Sequence, residues 1–235
     1  MILAGSVEVD GRRVDKAGTS VSEDADIRVA GPPHPYVSRG GVKLAAALDA
    51  FGIDPSGAVC LDVGASTGGF TDCLLQRGAA RVYAVDVGSG QIDARLRSDP
   101  RVILREKVNA RFLSSEHVPE PVGIAAVDVS FISLRLVLPA IVERLAPGGV
   151  LVALVKPQFE AGRGEVPRGG VVRSEETRRR VIEEIDRFCR AASLETLGWR
   201  ESPIRGARGN VEFLLGLRRP SREARSVSTG SAESV

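Results

Sequence analysis

Four ionisable residues stand where an otherwise apolar chain should not tolerate them. Asp128 closes an apolar run in Val127-Asp128-Val129-Ser130-Phe131, and Lys156 closes another in Leu154-Val155-Lys156-Pro157. Glu212 lies inside the apolar stretch Asn210–Leu217, and Lys43 opens a helical pattern after Ser38-Arg39-Gly40-Gly41. Burying a charge is costly unless it is paired. One such residue would read as an ion pair supporting the fold. Two acids and two amines, mostly at one rim of a sheet, fit a catalytic cluster better, because these are groups that accept and donate protons.

A second constellation is Cys60-Leu61-Asp62-Val63-Gly64-Ala65-Ser66-Thr67-Gly68-Gly69-Phe70-Thr71-Asp72. An apolar run meets an acid, then a glycine-rich turn, then an amphipathic segment. A first buried strand hands over to a helix in this way in nucleotide-binding α/β sheets. Gly64, Gly68 and Gly69 allow a tight bend and a close approach to a ligand, since no Cβ intervenes. The loop reads G-x-x-x-G-G, not G-x-G-x-x-G, so alone it is a weak signal. Asp86 sharpens it. It closes Arg81-Val82-Tyr83-Ala84-Val85-Asp86, roughly 20 residues past the loop, where a carboxylate can accept both hydroxyls of a ribose. Both NAD and S-adenosylmethionine present such a ribose.

The elements that must position these residues alternate along the chain. Apolar runs predict strands at 58–63, 81–86, 102–105, 123–128 and 149–155, with helices near 69–78, 91–97 and 134–146. Such alternation argues a largely parallel sheet covered on both faces. Lys43 precedes apolar spacing at 44, 47, 48 and 51, a helix before the first strand. Ser174-Glu175-Glu176 caps a long helix to about 192. Leu194–Arg200 and Asn210–Leu217, joined by a Pro/Gly loop, then predict an antiparallel end to the sheet. Residues 161–173, rich in glycine and arginine, read as a mobile loop able to meet phosphates.

The flanks differ. Residues 1–30 form a β-rich unit, with Val7-Glu8-Val9, an Asp10-Gly11 turn and Asp26-Ile27-Arg28-Val29 as a closing strand. Such a short unit with few apolar side chains cannot bury a core alone. Prolines stiffen a linker over 31–37, and the Ser-, Arg- and Glu-rich residues 219–235 are expected to be disordered. Aromatics are only 4% of the chain, so the core must be aliphatic. The net charge of +2 neither demands nor excludes a nucleic-acid partner. Three cysteines without a C-x-x-C pair read as buried thiols in a reducing cytosol, with no disulfide framework and no metal site. With no signal sequence and no apolar run of spanning length, the chain is expected to be cytoplasmic and free of the membrane.

Five blocks in order carry a resemblance: Tyr36–Leu44, the Asp62–Asp72 loop, Asp128-Val129-Ser130-Phe131-Ile132-Ser133, Val155-Lys156-Pro157-Gln158-Phe159-Glu160 and Gly209-Asn210-Val211-Glu212-Phe213. Together, over residues 1 to 218, they resemble the TlyA family of haemolysin-like, FtsJ-related ribosomal RNA 2′-O-methyltransferases. The resemblance implies an α/β, Rossmann-like methyltransferase domain at 38–218 that uses S-adenosylmethionine. It also implies a Lys-Asp-Lys-Glu tetrad, carried over by motif to Lys43, Asp128, Lys156 and Glu212, the four residues singled out by position. Asp62, Gly64, Ser66, Gly68, Gly69, Phe70 and Asp86 are the expected cofactor residues, with Asn109 near the adenine. Residues 1–30 look like the second half of an RNA-binding domain found in a ribosomal small-subunit protein. Ribosomal RNA, with cytidine as the expected nucleotide, or ribosomal subunits are the implied partners. Arg39, Arg163, Arg168 and Arg173 could contact phosphates, and Phe131 or Phe159 could stack on a base. A non-catalytic RNA-binding or lytic protein is the alternative, but no basic amphipathic helix supports lysis. An NAD-linked oxidoreductase would need a hydride-handling site, and His34 and His117 fall in a linker and a surface-like segment.

Overall fold

The computed structural model describes residues 7–14, 16, 18–29, 34–162 and 164–221. The expectations for Arg163, for the first part of the linker (31–33) and for the tail beyond 221 lie outside the described residues. Near the N-terminus, β1 (Val7–Val9), β2 (Arg12–Val14) and β3 (Ile27–Val29) form an antiparallel sheet in the order β2-β1-β3. Asp10 and Gly11 both take positive φ, the mirror-image turn that matches strand twist in a two-residue hairpin. Asp10 also accepts the Asp26 N–H on its side chain, which fixes the start of β3.

The remaining elements in chain order are α1 (Gly40–Phe51), β4 (Val59–Val63), α2 (Gly69–Gln76), β5 (Arg81–Val85), α3 (Ala94–Ser98) and β6 (Val102–Arg105). A short 3₁₀ turn at Ala110–Phe112 leads to β7 (Val122–Val127), α4 (Leu134–Arg144), β8 (Leu145–Val155) and α5 (Pro157–Glu160). Last come α6 (Glu175–Ala191), β9 (Glu195–Glu201) and β10 (Phe213–Arg218). Seven strands form one sheet in the order β6-β5-β4-β7-β8-β10-β9. β4 to β8 pair in parallel, and β10 runs against both β8 and β9. This is an α/β, Rossmann-like arrangement. The chain builds outward from β4 to β6, then crosses to β7 on the other side. The order therefore reverses between β4 and β7, and a crevice opens at their carboxyl ends.

Strand alternation sorts the core into two layers. Leu61, Val63, Tyr83, Val85, Leu151, Ala153 and Val155 face α4 and α6, which contribute Val137, Ile141, Ile182 and Ile185. Cys60, Val82, Ala84, Val152 and Leu154 face α1 and α2, which contribute Leu44, Leu48, Phe70 and Leu74. Both faces are covered, which explains why these strands read as continuous apolar runs. The three cysteines are free and buried, and burial pushes Cys73 up to about 11 and Cys60 and Cys189 up to about 12. No helix among the described residues is long and apolar enough to cross a membrane.

Several boundaries differ from the sequence expectation. α4 stops at Arg144 and β8 begins at once, because Leu145 already pairs with Val122 across a bulge. α3 begins only at Ala94, where Asp93 caps it by accepting the Arg95 N–H. β10 begins at Phe213, so Glu212 precedes the strand instead of lying within it. Asp86, Asp128 and Lys156 are each the first residue beyond their strands, and Asp86 and Asp128 line the crevice.

Candidate active site

The glycine-rich turn joins β4 to α2, and its glycines answer to protein neighbours. At Gly64 (φ 88°) a Cβ would overlap the carbonyl of Asp128, so only glycine lets the β4 and β7 ends approach this closely. A Cβ on Gly68 would strike Leu96 of α3, and one on Gly69 would strike Ser38 Oγ at the start of α1. Close packing within the protein thus accounts for a missing Cβ at all three, beside the ligand approach expected of them. Gly64 and Gly69 line cavities, whereas Gly68 is a packing position. The glycines of α1 follow the same logic, since a Cβ on Gly41 would enter the Tyr36 ring.

Asp62, expected at the cofactor, lies under the turn. It is fully buried, its Oδ2 accepts the Thr71 hydroxyl at 2.6 Å, and it lines neither cavity of the crevice. Burial pushes its carboxyl up to about 7; the Thr71 bond opposes this and the charges of Asp128 and Asp86 add to it. The folded state thus binds this proton more tightly than the unfolded chain does. The stability it confers is present at low pH and is lost as pH rises from about 4 through about 7. Asp62→Asn is expected to gain stability relative to the parent across that window, with a constant difference above it. Urea denaturation of both proteins at pH 5 and pH 8 checks this, and parallel pH dependence would refute it.

The larger cavity, about 540 Å³, opens between the ends of β4, β5 and β7 and is lined by Gly64, Ser66, Asp86, Gln91, Asn109 and Phe131, among others. Its size falls in the usual range for small-molecule sites. Asp86 is pre-oriented: its Oδ2 accepts the Ser66 N–H and its Oδ1 the Gly88 N–H, each at 2.7 Å. Lone pairs remain on both oxygens for ribose hydroxyls. Ser66 holds φ 48° to present that N–H. Asn109 caps the 3₁₀ turn by accepting the Arg111 N–H, which sets its side chain at the cavity edge. Phe70 and Gly69 line a smaller cavity of about 240 Å³ on the other side of the turn, with Arg39, Lys43, Asp128 and Gly206.

The four charged residues form two pairs. Lys43 Nζ lies 2.5 Å from Glu212 Oε2, with side chains 12% and 3% exposed. Lys156 Nζ lies 2.6 Å from Asp128 Oδ1 and donates to Ser130 Oγ at 2.8 Å. Strand register brings the pairs together. Val155 is opposite Phe213, so Lys156 and Glu212 leave the β8–β10 ladder side by side. Lys43 and Asp128, one from each pair, line the same small cavity, and Asp128 and Gly64 line both cavities. One member of each pair therefore reaches the cavities, Asp128 where the two meet and Lys43 in the smaller one.

The FtsJ-like methyltransferase family matches residues 36–219, which span the whole of this sheet and both cavities. The chain belongs to that family. It is 46% identical over 219 residues to "16S/23S rRNA (cytidine-2'-O)-methyltransferase TlyA" of Mycobacterium tuberculosis, covering 93% of this chain and 82% of the relative. A solved haemolysin-type structure from Streptococcus thermophilus superposes with a TM-score of 0.81 at 42% identity, covering 93% of this chain and 80% of that one. A Burkholderia thailandensis 1,6-didemethyltoxoflavin-N1-methyltransferase with bound S-adenosylhomocysteine shares the fold alone, at 22% identity, a TM-score of 0.55 and 78% coverage of each chain.

Three parts of this FtsJ-like site were not singled out in the sequence. Gly206 packs against the Glu212 carboxylate so closely that any Cβ would displace it. Glu160 is a half-buried acid whose carboxyl is pushed up chiefly by burial; it accepts the Ser133 hydroxyl at 2.6 Å and the Leu134 N–H at 2.7 Å. Ser130 meets Lys156. Gly206 and Ser130 sit in loops and Glu160 ends the four-residue α5, too short to show a period, although Ser130 and Glu160 fall inside the blocks that carry the family resemblance. The loop after α5, expected to be mobile, makes several contacts at its described residues. Asn210 donates to Gly170 O and accepts the Val172 N–H, and Glu165 pairs with Arg180 of α6. Arg168 and Arg173 are exposed, as is Arg39. Phe131 is 90% exposed at φ 64°, with its ring 5.0 Å from that of Phe159.

Proposed function

We propose that this protein is an S-adenosylmethionine-dependent methyltransferase that methylates a ribose 2′-hydroxyl of ribosomal RNA, cytidine being the expected nucleotide. The observation that carries this reading is the meeting of two lysine–carboxylate pairs with a cleft whose far end holds a pre-oriented acid, Asp86. The similarity to a relative named for cytidine 2′-O-methylation of 16S and 23S rRNA supports the substrate.

The residues present fit the cofactor. Asp86 would take the ribose hydroxyls and Asn109 would lie beside the adenine. Ser66, Gly64 and Gly69 would border the amino-acid part, with Phe70 behind them and Asp62 holding the turn from below. When bound, S-adenosylmethionine supplies a methyl group already activated by a positive sulfur. What the chain must do is place the hydroxyl in line and deal with its proton. We assign Lys156 to that hydroxyl: its ammonium, paired with Asp128, donates a hydrogen bond that holds the oxygen in line, and the proton shed as the oxygen–methyl bond forms passes to water. Asp128 balances and holds Lys156, while Glu212 holds Lys43 at the opposite wall. The exposed Phe131 ring, backed by the half-buried Phe159, offers aromatic surface for the target base near Lys156, and Arg39 offers a charge for a neighbouring phosphate.

The test is to incubate bacterial ribosomal subunits and naked ribosomal RNA with the protein and methyl-labelled cofactor, then map 2′-O-methyl positions. Label at one or a few ribose positions is the expected result. Label confined to bases, or no RNA product with intact subunits offered, would overturn the reading.

A further inference from the structure

We propose that Ser130 is a positioning residue of the methyl-transfer site, aiming the Lys156 ammonium that Asp128 only neutralises. The inference rests on the assignment of Lys156 to the acceptor hydroxyl. A lysine has a flexible four-carbon stem and three N–H donors, so a nearby charge attracts it without setting its direction. Direction comes from aligned hydrogen bonds. In this structure the Asp128 contact at 2.6 Å is one of charge, because Oδ1 has no aligned hydrogen bond among the described residues. The aligned bond from Lys156 Nζ goes to Ser130 Oγ, at 2.8 Å.

The surroundings hold Ser130 for this task. Asp128 N–H is bonded to Val63 O, which fixes the near end of the loop to the sheet. Glu160 fixes the far end by accepting from Ser133 and Leu134, and it belongs to the same short helix that follows Lys156. Between the two anchors Phe131 bends at φ 64° and meets Phe159. Loop and turn are thereby joined at three successive places, and Ser130 lies inside the joined segment. Ser130 also lines the larger cavity, and its hydroxyl makes no donated hydrogen bond among the described residues. Ser130 therefore stands where the bound methyl donor and Lys156 meet. With one N–H given to Ser130 and the charge of Asp128 to one side, the remaining donor direction is restricted to what the acceptor oxygen must occupy. Pre-orientation of this sort lowers the barrier without tightening substrate binding.

The experiment compares Ser130→Ala, Ser130→Thr and Lys156→Ala in the full chain, with ribosomal subunits as substrate. Ser130→Ala is expected to lower kcat about 10-fold or more, with the subunit KM and the cofactor Kd unchanged within about 2-fold. Ser130→Thr, which keeps the hydroxyl, is expected to recover most of that kcat. A purely structural role would instead lower the melting temperature and disturb KM or Kd. Full kcat in Ser130→Ala beside an inactive Lys156→Ala would overturn the proposal and leave the Lys156 assignment standing. Full activity in Lys156→Ala would overturn the assignment itself. Failure of threonine to recover activity would also overturn the proposal, since packing and not the hydroxyl would then be at stake.

Discussion

Replacing Lys156 by alanine is expected to leave a folded protein that binds S-adenosylmethionine normally and transfers its methyl group about 10²–10⁴-fold more slowly. The effect should be this selective because of where Lys156 sits. It follows β8, beyond the loop that lines the cofactor cleft, and its contacts are Asp128, Ser130 and the face of Phe159 at 5.9 Å. None of these is the ribose-binding carboxylate. Asp86→Ala makes the contrast. It removes the acceptor of the Ser66 and Gly88 N–H groups, and is expected to weaken cofactor binding about 10-fold or more while saturating cofactor restores much of the rate. Calorimetry with S-adenosylmethionine and single-turnover methylation of ribosomal subunits separate the two effects. Near-native turnover in Lys156→Ala would remove it from the chemistry.

The contrast between those residues bears on what a sequence can reveal. Asp128, Lys156 and Glu212 were conspicuous because each interrupts a run of aliphatic residues, where a charge has to be explained. Asp86 was conspicuous for the same reason, at a known distance from the turn. The glycine turn was conspicuous too, yet part of its physical reason lies in protein neighbours. A glycine in a sequence announces a missing Cβ but not what would collide with it. Leu96, Ser38 and the Asp128 carbonyl are neighbours only after the sheet has formed. Asp62 shows the converse, since an acid at the end of an apolar run is also how a buried helix-to-strand hydrogen bond to Thr71 begins. Two contacts of the 164–172 loop are made with Asn210, some 40 positions away, so no local pattern could announce them. Gly206 belongs to a Pro/Gly loop that reads as a simple connection, and only the Glu212 carboxylate packed on it gives it a role.

The second large effect concerns Lys43 and Glu212, and it decides whether the charge pairs serve the reaction or merely the fold. Glu212 is 3% exposed and its partner is Lys43. Lys43→Ala alone should leave that carboxylate buried without a counter-charge, at a cost of about 3–5 kcal/mol. Lost activity in that variant would say nothing about mechanism, because lost stability would explain it. The double variant Lys43→Met/Glu212→Leu removes both charges at once and keeps the aliphatic bulk. Exchanges of this kind are neutral or stabilising in other folds, because neither charge then has to be stripped of water. The double variant is therefore expected to recover stability to within about 1 kcal/mol of the parent, measured by urea denaturation, and still to bind S-adenosylmethionine. Methyl transfer should not recover. The reason is geometric: Lys43 lines the small cavity beside Asp128 and Arg39, and methionine offers that site no charge. A double variant that is both stable and active would show that evolution has placed this pair for the fold alone.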